Sequence, residues 1–230
     1  MSQLVLPLRL VDHAVFASFL DDGNETLVAT LASLADGEPG QGCWLWGAKA
    51  TGKTHLLQAV CDRAGDRSVY LPLAMLAEGG PEMLEGLASR ELVCIDDADR
   101  VAGDEAWELA LFNLFNDLQE AGGRLLVAAT TAPRECRFRL PDLASRMTRL
   151  PVFQVHALDE PQRVAALQLR ARHRGLELPD ETAGYLIKRS RRDMASLYGL
   201  LDKLDHEALR AQRRLTIPFV RYVMQQDPED

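Results

Sequence analysis

Apolar residues follow two rhythms along this chain. Through residue 155, short apolar-rich runs recur: Cys43-Trp44-Leu45-Trp46, residues 68–73, Leu92-Val93-Cys94-Ile95, residues 125–130 and residues 152–155. Runs of this length predict strands, and those at 43–46, 92–95 and 125–130 read as buried ones. Between them the apolar positions switch to a spacing of three and four. Residues 104–121 are the clearest case, with Trp107, Leu111, Leu114, Phe115 and Leu118 on one stripe and Gly122-Gly123 as the stop. Residues 55–60 and 25–34 read as shorter helices. Residues 15–34 read as helical in part, with Phe16, Phe19 and Leu20 on one face and a break at Asp21-Asp22-Gly23-Asn24. Residues 74–89 are weakly helical around Gly79-Gly80-Pro81, and residues 141–146 form a short turn or helix. After His156 the strands stop. Asp159 caps a helix to about residue 174, and Pro179-Asp180 starts another to about 189. A third covers about 193–212, and Thr216-Ile217-Pro218 leads a last one over 219–224. Strands alternating with helices predict an α/β fold, a three-layer α/β/α domain on a parallel five-stranded sheet, followed by a small all-helical domain.

The first strand runs into Gly47-Ala48-Lys49-Ala50-Thr51-Gly52-Lys53-Thr54, and a helix begins at His55. Strand, glycine loop and helix in this order make a P-loop. Gly47 and Gly52 let backbone N–H groups close on phosphate oxygens, and the helix dipole adds positive potential. Lys53 reaches the β- and γ-phosphates, and the Thr54 hydroxyl can ligate Mg²⁺. The pattern arises by chance in about one chain in a hundred of this size, and its flanking strand and helix narrow that further. The run 92–95 then delivers Asp96 and Asp97 to the carboxyl end of a strand, where α/β sheets bind ligands. Asp96 is placed to hold Mg²⁺ and Asp97 to orient or deprotonate a water; a plain strand followed by an aspartate turn is the alternative.

Charge sharpens the division of the chain. Residues 1–156 carry 13 Lys and Arg against 22 Asp and Glu, whereas residues 157–226 carry 13 against 9. An acidic body argues against broad phosphate-backbone binding, and a mildly basic helical segment reads first as a solvated face. Cys43, Cys61, Cys94 and Cys136 have no C-x-x-C spacing and sit in or beside apolar runs, so they read as reduced core residues. The histidines lack metal spacing, and no segment has the pattern of a signal peptide or a membrane span, which places the chain in the cytoplasm. At the start, Gln3-Leu4-Val5-Leu6-Pro7-Leu8 is apolar but carries a proline, so an extended arm is expected over residues 1–10, either docked in a partner's groove or packed on its own core.

Several stretches taken together resemble the Hda family of DnaA-related AAA+ regulators. They are residues 52–60 and 92–97, Ala102-Gly103-Asp104-Glu105 with Trp107-Glu108, residues 140–146, 167–172 and 215–220. The resemblance covers nearly the whole chain. It implies an AAA+ nucleotide-binding domain over residues 11–157 and a helical lid over 158–230. It also implies that ADP or ATP is bound with Mg²⁺ at Gly47, Gly52, Lys53, Thr54 and His55, with Arg192 as the sensor 2 arginine. Gln3, Leu4, Leu6, Pro7 and Leu8 are similar to the peptide by which that family binds the replicase sliding clamp. Arg146 matches the family's arginine finger, which would act on ATP held by DnaA, with Arg149 as a possible helper. The resemblance thus implies a negative regulator of replication initiation that meets DNA only through the clamp, with homo-oligomers possible and Asp97 as the remaining catalytic candidate. No helix-turn-helix domain is expected after the lid.

One position departs from the family. The sensor 1 acidic residue is replaced by Thr130, whose hydroxyl can hydrogen-bond but cannot act as a carboxylate. Slow intrinsic hydrolysis is therefore expected. Two other readings stay open on the residues alone: a self-sufficient ATPase or loader acting on single-stranded DNA, and a clamp-bound adaptor whose nucleotide is structural.

Overall fold

The computed structural model describes residues 14–189 and 194–226. Their fold comprises two compact units. Of the described residues, the first unit holds 14–16, 26–46 and 53–154, and the second holds 17–25, 47–52, 155–189 and 194–226.

The first unit is built on the expected parallel sheet. Its elements are α1 (Glu25–Ala35), β1 (Gly42–Trp46), α2 (Lys53–Ala64), β2 (Ser68–Pro72), α3 (Leu73–Leu76), β3 (Leu92–Asp96), α4 (Glu105–Ala121), β4 (Arg124–Ala129), α5 (Pro141–Met147) and β5 (Val152–Gln154). The strand order is β2-β3-β4-β1-β5. Every pairing is parallel, with Trp46 opposite Ala129 and Pro72 opposite Asp96. The runs at β1, β3 and β4 are buried, all of β3, β1 up to Leu45 and β4 from Leu125, whereas the edge strands differ: β2 is buried only at its end, and Val152 and Gln154 of β5 are exposed. Trp44 is fully buried, yet its indole N–H donates to the Thr131 carbonyl at 3.0 Å, and its ring meets Phe138 edge-on at 6.1 Å. One bulky side chain thereby fixes the segment after β4 to the centre of the sheet.

Helix α4 follows the pattern that predicts it. Asp104 caps it by accepting from the N–H groups of Ala106 and Trp107, and Trp107, Leu111, Leu114, Phe115 and Leu118 are its buried stripe. Two weak readings come out differently. Residues 15–24 hold only a 3-10 turn at Phe16–Ser18, followed by a turn in which the Asn24 N–H meets the Asp21 carbonyl at 2.6 Å. The polar run wins over the three apolar residues because a single turn of helix returns too few hydrogen bonds for the backbone it orders. Residues 73–89 hold α3 and three 3-10 turns. Gly80, at φ 88°, and Pro81 turn the chain off an α-helical path there.

The second unit contains α6 (Glu160–His173), α7 (Asp180–Arg189), α8 (Met194–Ala211) and α9 (Ile217–Gln225). Asp159 and Gln162 form a capping box at the start of α6. Leu167, Leu186, Leu197, Leu201, Leu204 and Val220 are core residues here. The basic character read as a solvated face is partly internal. Arg170 is 2% exposed and lies over the Tyr198 ring at 4.3 Å, and Arg174 pairs with Asp202 at 2.5 Å. Burial pushes the Arg170 guanidinium below its ordinary pKa, against the pull of Asp202.

Candidate functional site

The glycine loop joins β1 to α2 and is closed tightly. A Cβ on Gly47 would lie 2.5 Å from the Val155 carbonyl oxygen. Gly52 has φ +102°, and a Cβ there would lie 2.6 Å from the Phe19 ring. Neither position tolerates a side chain, the first for space and the second for space and backbone angle alike. Thr51 donates its hydroxyl to the Ala48 carbonyl at 3.0 Å and fixes the turn from within.

Lys53 opens α2 and is 6% exposed. Burial lowers its pKa, while the charges of Asp96, Asp97 and Asp99 pull it back up. The next residue, Thr54, donates to Asp96 Oδ2 at 2.7 Å. Tyr70 on β2 donates to the same oxygen at 2.9 Å, and Asp96 Oδ1 accepts the Asp97 N–H at 3.0 Å. Asp96 is 2% exposed, so these three donors offset the cost of burying its charge. Burial raises the Tyr70 hydroxyl above its usual range, and the Asp96 charge adds to this.

Asp97 stands in the left-handed region at φ 56° and ψ 42°. A non-glycine residue is rarely held there except at a functional or strained position. Burial raises its carboxyl pKa, as does repulsion from Asp96 and Asp99, while Lys53 and Arg100 act the other way. The Thr130 hydroxyl is engaged within the fold: it donates to Asp99 Oδ2 at 2.5 Å, and the Thr130 N–H reaches Asp99 Oδ1 at 3.3 Å. His55 turns its Nε2 to the Val15 carbonyl at 2.9 Å, and since a carbonyl only accepts, that nitrogen carries the proton in this contact.

As chemistry, the set suits a nucleotide phosphate with Mg²⁺: a buried ammonium that directly follows the glycine loop in the chain, and a hydroxyl and a carboxylate 2.7 Å apart as hard oxygen donors. Among the described residues no cluster of three His, Cys, Asp or Glu could cage a metal alone.

Arg146 is on α5, half-buried, with its guanidinium 5.9 Å from the centre of the Phe115 ring on α4. Among the described residues no carboxylate pairs with it. It lines a cleft of about 420 Å³ together with Arg149, Gln41, Asn116, Gln119 and Glu120. The approach to α5 is held by Glu108. This carboxylate, 1% exposed, accepts the N–H groups of Gly103 at 2.6 Å, Arg139 at 2.8 Å and Leu140 at 2.6 Å.

Comparison with known proteins places this geometry. Residues 159–224 match the family model described as "Hda, lid domain". Among solved structures, domain III of the Thermotoga maritima replication initiation protein DnaA superimposes with a TM-score of 0.73 at 20% identity, covering 94% of this chain and 98% of that one. AMPPCP-bound DnaA from Aquifex aeolicus gives 0.67 at 19%, covering 88% and 68%. The Thermotoga maritima RuvB Holliday junction branch migration motor gives 0.64 at 21%, covering 94% and 74%. The structural likenesses establish the fold, and the family match concerns the helical part. Residues 159–224 are thus Hda-like, and the chain has the AAA+ fold of DnaA domain III.

Within this AAA+ fold, the structure brings Lys53, Thr54, Asp96 and Asp97 into one neighbourhood. Arg146 stands over Phe115 on a separate element. Gln3, Leu4, Leu6, Pro7, Leu8 and Arg192 lie outside the described residues. Sequence reasoning gave no role to Tyr70, which carries no local motif, or to Glu108, which stood in a resemblance-bearing stretch without one. Asp99 had a faint signal as the third carboxylate of Asp96-Asp97-Ala98-Asp99. No helix among the described residues is long and apolar enough to cross a membrane.

Proposed function

We propose that this chain binds ADP or ATP with Mg²⁺ at its P-loop, docks on the replicase sliding clamp through residues 3–8, and stimulates ATP hydrolysis by DnaA, restraining replication initiation from the cytoplasm. Lys53 and the loop N–H groups would bind the phosphates, and Thr54 and Asp96 the cation. Mg²⁺ would neutralise phosphate charge there. In the same reading, Asp97 is aimed at a water and Arg192 senses the nucleotide.

The observation that carries the regulatory part is Arg146. A half-exposed guanidinium without a carboxylate partner among the described residues, seated on an aromatic ring beside an open cleft, is a charge available to another molecule's phosphate. Desolvated against a γ-phosphate, such a finger is worth about 10³–10⁵ in rate, or roughly 4–7 kcal/mol. The Hda lid match in residues 159–224 supports DnaA as the protein that holds the phosphate.

The test is single-turnover hydrolysis of ATP pre-bound to DnaA, with clamp loaded on DNA. The chain should accelerate it and Arg146→Ala should abolish the effect while clamp binding persists. Leu6→Ala with Leu8→Ala should lose clamp binding and leave the finger intact at high concentration. Equal damage to both activities in either variant would sink this division of roles, and turnover that depends only on single-stranded DNA would favour a stand-alone ATPase.

A further inference from the structure

A carboxylate that is 1% exposed needs a reason, because burying its charge is costly unless donors or cations replace water. Among the described residues no cation pairs with Glu108. Its compensation is three backbone N–H groups from two separate loops. Oε1 accepts Gly103 N–H at 2.6 Å and Arg139 N–H at 3.0 Å, and Oε2 accepts Arg139 N–H at 2.8 Å and Leu140 N–H at 2.6 Å.

Both loops lead to functional chemistry. Gly103 follows the turn of Ala98–Arg100, in which Asp99 holds Thr130. Leu140 is the N-cap residue of α5 and makes no side-chain cap of its own, so the segment entering this seven-residue helix is held from outside by Glu108. A helix this short has little stability alone, and its direction is set by what grips its ends. Two turns further along α4, Phe115 lies under the Arg146 guanidinium. One helix therefore supplies both the anchor of α5 and the platform for its arginine.

We propose that Glu108 is the positioning residue for Arg146: its buried carboxylate ties the entry of α5 to α4 and to the loop after the Asp96–Asp97 strand, and so fixes where the guanidinium points. This rests on the reading of Arg146 as a trans-acting finger. A finger works only when placed, and a displacement of about 1 Å can cost on the order of 10²-fold in rate.

The tie can be cut from either side. Glu108→Gln keeps the shape but sets an amide NH₂ against backbone N–H groups. Leu140→Pro removes one donor at a residue whose φ of −79° suits proline and leaves the Glu108 carboxylate in place, though it also gives up Leu140 packing on the core; Leu140→Ala, which keeps the N–H, is the control for that loss. In the single-turnover assay with DnaA–ATP and DNA-loaded clamp, Glu108→Gln and Leu140→Pro should each lower the stimulated rate by roughly 10–100-fold. The half-saturating concentration and the chain's own ADP affinity should stay within about 3-fold of wild type, and the double variant should be no worse than the more damaged single. Amide exchange over residues 141–147 should speed up in both. Wild-type rates in Glu108→Gln, fully additive losses, or unchanged exchange in α5 would each overturn the proposal. If Glu108→Gln lost ADP binding as well, Leu140→Pro would decide. If the wild-type chain did not stimulate DnaA, the finger reading itself would fall. The amide exchange would then judge separately whether Glu108 holds α5.

Discussion

Asp96 has its oxygens engaged before any ligand arrives. Oδ2 accepts from Thr54 and Tyr70, and Oδ1 from the Asp97 N–H. Such a carboxylate is oriented by the fold itself, and under the proposed function it would offer a cation a fixed ligand. Tyr70 contributes to that orientation from β2, where it stands opposite Cys94 in the register. Tyr70→Phe removes one hydrogen bond to a buried charge and is expected to destabilise the fold by about 1.5–3 kcal/mol. Urea denaturation with Trp fluorescence measures this, and an unchanged midpoint would show that the hydroxyl contributes nothing net. The neighbouring Asp97 shows a different economy. It is held in a left-handed backbone with its carboxyl pushed up in pKa by burial and by Asp96 and Asp99, so strain and repulsion are accepted at one residue while the surrounding sheet stays regular.

Among the elements, α4 carries the most. Its buried stripe covers the sheet, Glu108 holds the entry of α5, and Phe115 supports Arg146. Its start depends on Asp104, whose Oδ1 accepts from Ala106 N–H at 3.0 Å and Trp107 N–H at 3.2 Å. Asp104→Ala should therefore cost about 1 kcal/mol, within the usual range for a lost N-cap. Chemical denaturation reads the loss, and Asp104→Asn, which keeps an acceptor oxygen, should recover most of it. A full-sized loss in the asparagine variant would mean that the charge, through the helix dipole, matters more than the hydrogen bond. The stretch between β2 and β3 lies at the other extreme. With one turn of α-helix and three 3-10 turns, it has few backbone bonds of its own and relies on side chains such as Leu73 and Leu84 reaching the core.

At the scale of the whole molecule, the two units are distinguished by what they bury. The first holds all four cysteines and all three tryptophans, and the second has a core of leucines, alanines and valines with Arg170 and Arg174 beside it. Cys43 and Cys94 are completely buried, and Cys61 and Cys136 are 7% and 9% exposed. Burial raises the Cys43 and Cys94 thiols above their usual range, which suppresses the reactive thiolate. In the native chain all four thiols should resist an aromatic disulfide reagent at neutral pH. They should become reactive along a urea gradient with the same midpoint as Trp fluorescence, because both probes report the first unit. Rapid labelling of even one thiol in native buffer would contradict the packing described.

The order of strands and helices, the P-loop, the delivery of Asp96 to a strand end and the reduced character of the cysteines were all legible along the chain. Each depends on hydrophobic rhythm or on contiguous residues, and those are local properties. The weak readings at 15–24 and 74–89 lay where rhythm is faint and turns compete with helix on nearly equal terms. The partners of the functional groups were decided elsewhere. Tyr70 meets Asp96 across 26 residues, Asp99 meets Thr130 across 31, and Glu108 grips residues 31 and 32 positions away. No spacing rule announces such pairs. They exist because the sheet order β2-β3-β4-β1-β5 sets strands distant in sequence side by side with their carboxyl ends at one edge, and because a charge taken out of water must find its donors wherever the fold brings them.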